Sequence, residues 1–184
     1  MDTFLRTVLV FDVKDNAYYP LSSDKSKLIS PIDVAIDERR GSTYVSDSQG
    51  GVVKIFRDRG KKLVGEFGKG VLQRPTGIAV NPDTSELIVV DTKLATIFRY
   101  DLNNHQLKGQ FAGRGSADGQ MNYPTNVTIG GDGNIFITDA LNFRIQVFSA
   151  EGKFLNKFGS AGDNPGYFAR PRGVAVDSDG NIYV

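Results

Sequence analysis

The sequence contains no cysteine and a single histidine, His105. Without cysteine the chain has no disulfide, no thiolate metal ligand and no cysteine nucleophile. One histidine cannot supply a three-histidine zinc site within this chain. His105 follows two asparagines that are typical of a loop tip. We expect that tip to lie on the face opposite the one where a propeller binds ligands, so His105 cannot form a serine–histidine pair at a binding site. We therefore assign no catalytic residue, no metal ligand and no cofactor.

Neither sign of charge dominates, and long apolar runs are missing. The 22 basic and 21 acidic residues give a net charge of +1, so no overall field attracts nucleic acid or a membrane surface. No apolar run of about 18 residues occurs, so no membrane segment is predicted. The first residues, MDTFLRTVLVFDV, lack the basic flank and cleavage site of a signal peptide. With 40% hydrophobic residues, the 184-residue chain is long enough for one well-cored domain.

One segment of the sequence recurs four times. Its copies begin, at spacings of 44, 49 and 47 residues, with Pro31, Pro75, Pro124 and Pro171. A second marker, an aromatic residue that ends a short apolar run, recurs at spacings of 45, 44 and 48 residues as Phe11, Phe56, Tyr100 and Phe148. Because two markers share one period, the chain is a repeat protein.

Each repeat unit has the pattern of short antiparallel strands. Val174, Val176, Ile182 and Val184 alternate with smaller or more polar neighbours, a period of two that is typical of strands. Asp-Gly pairs at 132–133 and 179–180 suit tight hairpins. The pattern predicts four strands per unit, A to D, and no helix. The fold class is all-β, with four-stranded blades of a β-propeller.

The repeat motifs resemble those of the NHL-repeat family. The pattern P-x-G-[VI]-A-[VI]-D, then G-N-[IL]-[YF]-[VI], then D-x-x-N-x-R-I-x-V-F, is matched best by residues 171–184 and 134–148. The first two complete units match it more loosely, since Asn81-Pro82-Asp83 replaces the Asp-Gly turn and Gly50-Gly51 replaces the D-x-x-N-x-R end. The resemblance implies a six-bladed propeller.

Read in this phase, the chain forms one propeller domain or fragment. It begins with strands C and D (5–30), continues with blades 31–74, 75–123 and 124–170, and ends with strands A and B (171–184), which makes 2 + 12 + 2, or 16, strands. We favour a fragment of a six-bladed ring, and the alternative is a closed four-bladed ring in which the last A and B strands pair with the first C and D strands. A fragment would expose blade edges, so we expect it to self-associate.

The loops that lead into strand A and the loops between strands B and C share one face, the mouth of the central channel. Asp33 and Asn126 stand there where the family has glycine. They are candidate ligand-binding or cation-binding residues, although local capping of the turn is the interpretation we favour.

Three aspartates end strand B in successive repeats: Asp47, Asp91 and Asp139. A carboxylate that recurs in every repeat is more typical of structure than of catalysis. We expect each one to accept backbone N–H groups of the next turn, and Asp139 to pair with Arg144.

The mouth-side loops carry an excess of positive charge, together with aromatic residues. Four acidic residues (Asp24, Asp33, Asp118, Asp163) face eight basic ones: Lys25, Lys27, Lys69, Arg74, Lys93, Arg114, Arg170 and Arg172. The aromatic residues near them in sequence are Tyr123, Phe143, Tyr167 and Phe168. Of the basic residues, we select Arg74, Arg170 and Arg172 as candidates for binding an anionic ligand.

The function we favour is a non-catalytic interaction scaffold that binds a protein or a small anionic ligand at the mouth. Two alternatives stay open: a calcium- or metal-assisted hydrolase or lyase with ligands in further blades, and RNA binding through the basic mouth. The compartment also stays open. An extracytoplasmic bacterial location would require that the export signal be absent from this sequence.

Overall fold

The computed structural model describes residues 6–21 and 28–184, which divide into two compact units, Met1–Pro75 and Thr76–Val184. Sixteen strands and one short 3-10 turn account for the regular structure of the described residues. The all-β fold built from four-stranded sheets is therefore confirmed, while the interpretation as one propeller domain stays a prediction. No helix in the described ranges is long and apolar enough to cross a membrane.

The first unit holds a two-stranded sheet and a four-stranded sheet, each in the order of the sequence. Their strands are β1 (Leu9–Asp12), β2 (Ala17–Pro20), β3 (Pro31–Asp37), β4 (Ser42–Asp47), β5 (Val52–Arg57) and β6 (Lys62–Phe67). An apolar core joins the two sheets, with Val8 and Leu21 from one side and Val45 and Phe56 from the other.

The second unit holds two four-stranded sheets and a terminal hairpin. The strands are β7 (Pro75–Asn81), β8 (Glu86–Asp91), β9 (Thr96–Asp101), β10 (Leu107–Ala112), β11 (Pro124–Ile129), β12 (Ile135–Asp139), β13 (Arg144–Phe148), β14 (Phe154–Phe158), β15 (Ala175–Val176) and β16 (Ile182–Tyr183). One core packs Ile88, Val90 and Ile97 against Val127, Ile137 and Phe148, and a second packs Val147 against Val174 of the hairpin.

The innermost strands of neighbouring sheets approach closely where β7 crosses β11. A Cβ atom added to Gly77 would lie 2.7 Å from Asn126 Cα and 2.9 Å from both Thr125 O and Val127 N. All three are backbone atoms, so no rotamer change could relieve the contact. Only glycine fits this position on β7.

The prediction of no helix is wrong at one place. Ala140–Asn142 form a 3-10 turn between β12 and β13. The Asn142 amide donates to Asp139 Oδ2 at 2.8 Å, and Phe143 closes the turn in the left-handed region at φ 55°. The D-x-x-N-x-R motif therefore encodes a short helical turn.

A buried ion pair lies at the opposite end of this unit, where β8 begins. Glu86 is 1% exposed, and its Oε2 accepts a hydrogen bond from Arg99 Nε at 2.8 Å. Its Oε1 accepts one from Arg99 Nη2 at 2.9 Å and lies 2.6 Å from Lys108 Nζ. Burial alone would raise the pKa of Glu86, but the hydrogen bonds from these two cations outweigh it and hold the pKa below its usual 4.5. His105 lies at this same end, in the turn between β9 and β10.

Candidate functional site

The candidate site is the loop end of the second unit, which we define as residues 92–95, 113–123, 140–143 and 159–174. These segments contain the β8–β9 and β12–β13 turns and the connections that lead into β11 and β15. Because adjacent strands run antiparallel, these turns and connections lie at the same end of their sheets. This end corresponds to the predicted mouth side.

A buried carboxylate, that of Asp139, binds the loops of the loop end through hydrogen bonds. Asp139 is fully buried at the end of β12. It accepts the Asn122 N–H at 2.6 Å and Arg144 Nε at 2.9 Å. The charge of Arg144 compensates that of Asp139, which removes much of the cost of burying either one. Asp139 and Arg144 thus connect the turn after β12 to the connection before β11.

Arg144 and Gln146 extend this network into the 113–123 connection. Arg144 Nη2 donates to the carbonyls of Ala117 and Gln120, both at 2.9 Å. The Gln146 amide donates to the same Gln120 carbonyl at 2.6 Å and accepts the Gly119 N–H at 2.9 Å. Buried charge-assisted hydrogen bonds of this kind fix the path of the loop. Gln146 was missed by sequence reasoning, since one glutamine in a strand carries no motif of its own.

The other two strand-B aspartates are also fully buried and bind backbone N–H groups. Asp47, in the first unit, accepts the N–H groups of Ile29 and Ser30, both at 2.8 Å. Asp91 accepts the Leu94 N–H at 3.0 Å in the β8–β9 turn. Their contacts resemble those of Asp139, but no arginine occupies the position of Arg144 in those repeats.

Threonine side chains join the three sheets of the second unit at the loop end. The Thr76 and Thr92 hydroxyls lie 2.8 Å apart, and Thr92 Oγ1 donates to the Pro124 carbonyl at 2.6 Å. Thr125 Oγ1 then donates to the Arg172 carbonyl at 3.1 Å. The bonds connect the β8–β9 turn with the beginning of β11 and with the segment before β15, so they place Lys93 and Arg172 on neighbouring segments.

The exposed cations of this surface are Lys93, Arg114, Arg170 and Arg172. Arg114 Nη2 donates to the Lys93 carbonyl at 2.7 Å, which brings these two residues together. Of the nearby acids, Asp118 is bound by Lys157 and lies 3.9 Å from Arg144. Asp91 and Asp139 are buried, whereas Asp163 is exposed like Asp118. The four exposed cations outnumber these two exposed acids, so the loop end has an excess of positive charge.

The aromatic residues at the loop end divide between surface and core. Tyr123 and Tyr167 are 39% and 48% exposed. Phe168 instead packs against the core between β13 and β15, and its ring lies over Gly159. Phe143 is half-buried, so Tyr123 and Tyr167 are the most exposed of the four aromatic residues predicted on this side.

The two departures from the family glycine have different surroundings. Asn126 Oδ1 accepts the Val174 N–H at 3.1 Å, a bond from β11 to the neighbouring hairpin. Asp33 Oδ1, in the first unit, accepts the N–H of Val34, the next residue, at 2.9 Å. Asn126 thus joins two sheets, whereas the Asp33 contact is local, and the ligand-binding role predicted for both stays a prediction.

The remaining predicted cations lie elsewhere. Lys69 and Arg74 are exposed in the first unit, and Lys25, Lys27 and Asp24 lie outside the described residues. Within the described ranges, no three or more histidine, aspartate or glutamate side chains are placed to hold a metal ion. The site that can be built from described contacts is therefore the basic loop end of the second unit.

Comparison with known proteins agrees with this fold. Residues 117–184 match a family model described as a 6-bladed beta-propeller. The structure of the WD40 beta propeller domain of Doa1 superimposes with a TM-score of 0.64 at 15% identity, over 83% of this chain and 46% of that one. A likeness at this identity shows the fold alone, and the β-propeller fold is confirmed.

NHL-repeat proteins are homologues of the chain. "Protein brain tumor" of Drosophila melanogaster is 36% identical over 124 residues, which cover 65% of this chain and 11% of that protein. "E3 ubiquitin-protein ligase NHLRC1" of Homo sapiens is 32% identical over 117 residues, 64% of this chain and 28% of that protein. The chain thus spans about a tenth and about a quarter of the length of these two relatives.

Proposed function

We propose that this chain, a homologue of NHL-repeat β-propeller proteins, is a non-catalytic binding module whose loop end holds an acidic segment of a partner protein. The observation that supports this most is the grouping of Lys93, Arg114 and Arg172 by backbone and threonine hydrogen bonds. Small anionic ligands share the carboxylate chemistry that these cations would recognise.

The surroundings of the cations favour binding over catalysis. Of the acidic side chains at the loop end, Asp91 and Asp139 are buried, Asp118 is bound by Lys157, and Asp163 is exposed. His105, the residue best suited to proton transfer near neutral pH, lies at the other end of the sheets. The loop end therefore offers fixed positive charge, hydrogen-bond donors and two exposed tyrosines, which suits recognition of a carboxylate-rich peptide.

Fluorescence anisotropy with a labelled poly-glutamate peptide tests the proposal. Combined substitution Lys93→Glu, Arg114→Glu and Arg172→Glu removes three exposed contacts of about 0.5 kcal/mol each, so binding should weaken about tenfold or more. Lys153→Glu is the matched control, because Lys153 is exposed in the β13–β14 turn at the opposite end. Equal binding by the triple variant and the parent chain would show that the loop end is not the binding surface.

The same titration tests RNA binding, and metal analysis tests the metal-assisted hydrolase or lyase. Tighter binding of a single-stranded oligoribonucleotide, lost in the same triple variant, would favour RNA as the partner. Stoichiometric calcium or zinc bound to the full natural protein would favour the metal-assisted hydrolase or lyase. Self-association through open sheet edges is a separate proposal and is developed next.

A further inference from the structure

The first unit contains an apolar groove beside an open sheet edge. Strands β1 and β2 form a two-stranded sheet of their own, so within the described residues β1 is paired on one side only. Next to it lies a groove of about 790 Å³ whose lining includes Val8 and Val10 on one side and Val34, Ile36 and Thr43 on the other. Phe11 and Val13 of this hairpin are 69% and 91% exposed.

The second unit shows what fills the equivalent space between two complete sheets. By repeat position, Val34, Ile36 and Thr43 correspond to Val127, Ile129 and Ile135. Those three residues pack in one core with Ala79 of β7 and with Ile88 and Val90 of β8. In the second unit this space is filled by β7 and β8, which are strands A and B of the preceding sheet. The groove is therefore the corresponding space in the described part of the first unit, without those two strands.

The terminal hairpin β15–β16 consists of a strand A and a strand B. Val174 and Val176 on one face pack against β13, whereas Ala175 and Tyr183 form a cross-strand pair on the other face. Ala175 and Tyr183 are both exposed, and they hold the repeat positions of Ala79 and Ile88. The hairpin thus presents to solvent the same two positions that fill the corresponding space between complete sheets.

Strand B pairs with strand C in the same register in all three complete sheets. In each of them the same two repeat positions lie opposite each other: Thr43 with Phe56, Leu87 with Tyr100, and Ile135 with Phe148. In the two half-sheets, these positions belong to Ile182 of β16 and Phe11 of β1. Both residues are exposed, at 39% and 69%, while Phe56, Tyr100 and Phe148 are at most 3% exposed.

We propose that the β15–β16 hairpin of a second copy of this chain docks into the groove of the first unit and pairs β16 with β1, with Ile182 opposite Phe11. Edge pairing supplies backbone hydrogen bonds, and Tyr183 and Ala175 cover Val34 and Ile36. Within the described residues each hairpin forms a separate two-stranded sheet, and the two carry complementary repeat positions, so the hairpin of a second copy fits the groove. The contact is head-to-tail and builds assemblies of two or more copies.

Cysteine cross-linking tests the register, because the chain has no cysteine of its own. Phe11→Cys and Ile182→Cys are purified separately, mixed, and oxidised with copper–phenanthroline. Residues directly opposite in an antiparallel pair have the Cα separation that a disulfide needs, so the mixture should give a covalent dimer. The matched control is Phe11→Cys mixed with Leu155→Cys, since Leu155 is 48% exposed on the outer strand β14.

The outcomes separate the possible occupants of the groove. A dimer yield no greater than that of the control overturns the proposal. A Phe11→Cys/Ile182→Cys double variant that cross-links within one chain at low concentration, while the mixture does not cross-link, assigns the groove to the chain's own hairpin and also overturns it.

Sedimentation velocity of the unmodified chain needs no substitution and gives an independent result. The sedimentation coefficient should rise with protein concentration, and Tyr183→Asp should abolish the rise. Leu155→Asp, at an exposed apolar residue of β14 outside both the hairpin and the loop end, should leave the rise unchanged. A monomer at every concentration contradicts the proposal. None of these results depends on the basic loop end, so this proposal and the proposed function can fail independently.

Discussion

Replacing Gly77 with alanine tests how closely the innermost strands of adjacent sheets pack. The added methyl carbon would lie 2.7 Å from Asn126 Cα and 2.9 Å from Thr125 O and Val127 N. Ordinary contacts of a Cβ atom lie at about 3.4–4 Å, so β7 and β11 would have to move apart by several tenths of an ångström. Such a movement also disturbs the core of Ile88, Val127 and Ile137 between the two sheets.

The expected loss of stability is that of overpacking against rigid backbone, about 1–3 kcal/mol. For a chain of this size, about 2 kcal/mol corresponds to a decrease in Tm of about 4–8 °C. Gly77 does not have positive φ, so no backbone strain from a left-handed conformation adds to the loss. Alanine also lowers the conformational entropy of the unfolded chain, which stabilises the fold by about 0.4–1 kcal/mol and offsets part of the loss.

Gly173→Ala is the matched control, because Gly173 holds the same repeat position and a Cβ there would meet no atom within 4 Å. It also lacks positive φ, so the unfolded-state effect should be the same in both variants. Urea unfolding followed by circular dichroism gives the two free energies of unfolding. Equal values within about 0.5 kcal/mol would refute the close approach of β7 and β11.

Two further substitutions test the buried charges. Asp139→Ala leaves the Arg144 guanidinium buried without its carboxylate, so it should lower the free energy of unfolding by about 3–5 kcal/mol. The control, Asp132→Ala at an exposed aspartate, should lower it by about 1 kcal/mol or less. Similar losses for the two variants in urea unfolding would contradict the hydrogen-bond network around Asp139. Glu86 has a lowered pKa, so its ion pair stabilises the fold above pH 4.5 and loses that contribution as the pH falls through the lowered value. The stability difference between the parent chain and Glu86→Gln should therefore be largest near pH 7 and shrink below pH 4.5; a constant difference across that range would show that ionisation of Glu86 contributes nothing.

Repetition is the reason that the fold could be predicted from the sequence. Each of the four prolines that mark the repeat begins or precedes a strand A, and Asp47, Asp91 and Asp139 end a strand B. A contact that every repeat must make requires the same residue type at a fixed interval, so one sequence shows that residue several times. The Asp-Gly turns are readable for the same reason, since Gly133 and Gly180 have φ of 78° and 82°.

Contacts between sheets could not be predicted in the same way. Thr92 and Thr125 join neighbouring sheets through bonds that span 32 and 47 residues, and no local motif marks either threonine. Asn126 appears in the sequence only as a departure from glycine, and its bond to Val174 depends on how β11 and the terminal hairpin pack together. The side chain that fits at such a position depends on the distance between two particular sheets, and that distance differs from one pair of sheets to the next.

The hydrogen bonds from Arg144 and Gln146 to the 113–123 connection have a consequence for how recognition can change. Because buried groups beneath the surface already hold that backbone in place, a partner need not order it on binding, and little conformational entropy is lost at that step. Exposed positions such as Arg114 can then be exchanged for other residues with little effect on the framework below them. Specificity at this surface can therefore diverge by substitution of single side chains while the supporting carboxylate, guanidinium and amide stay the same.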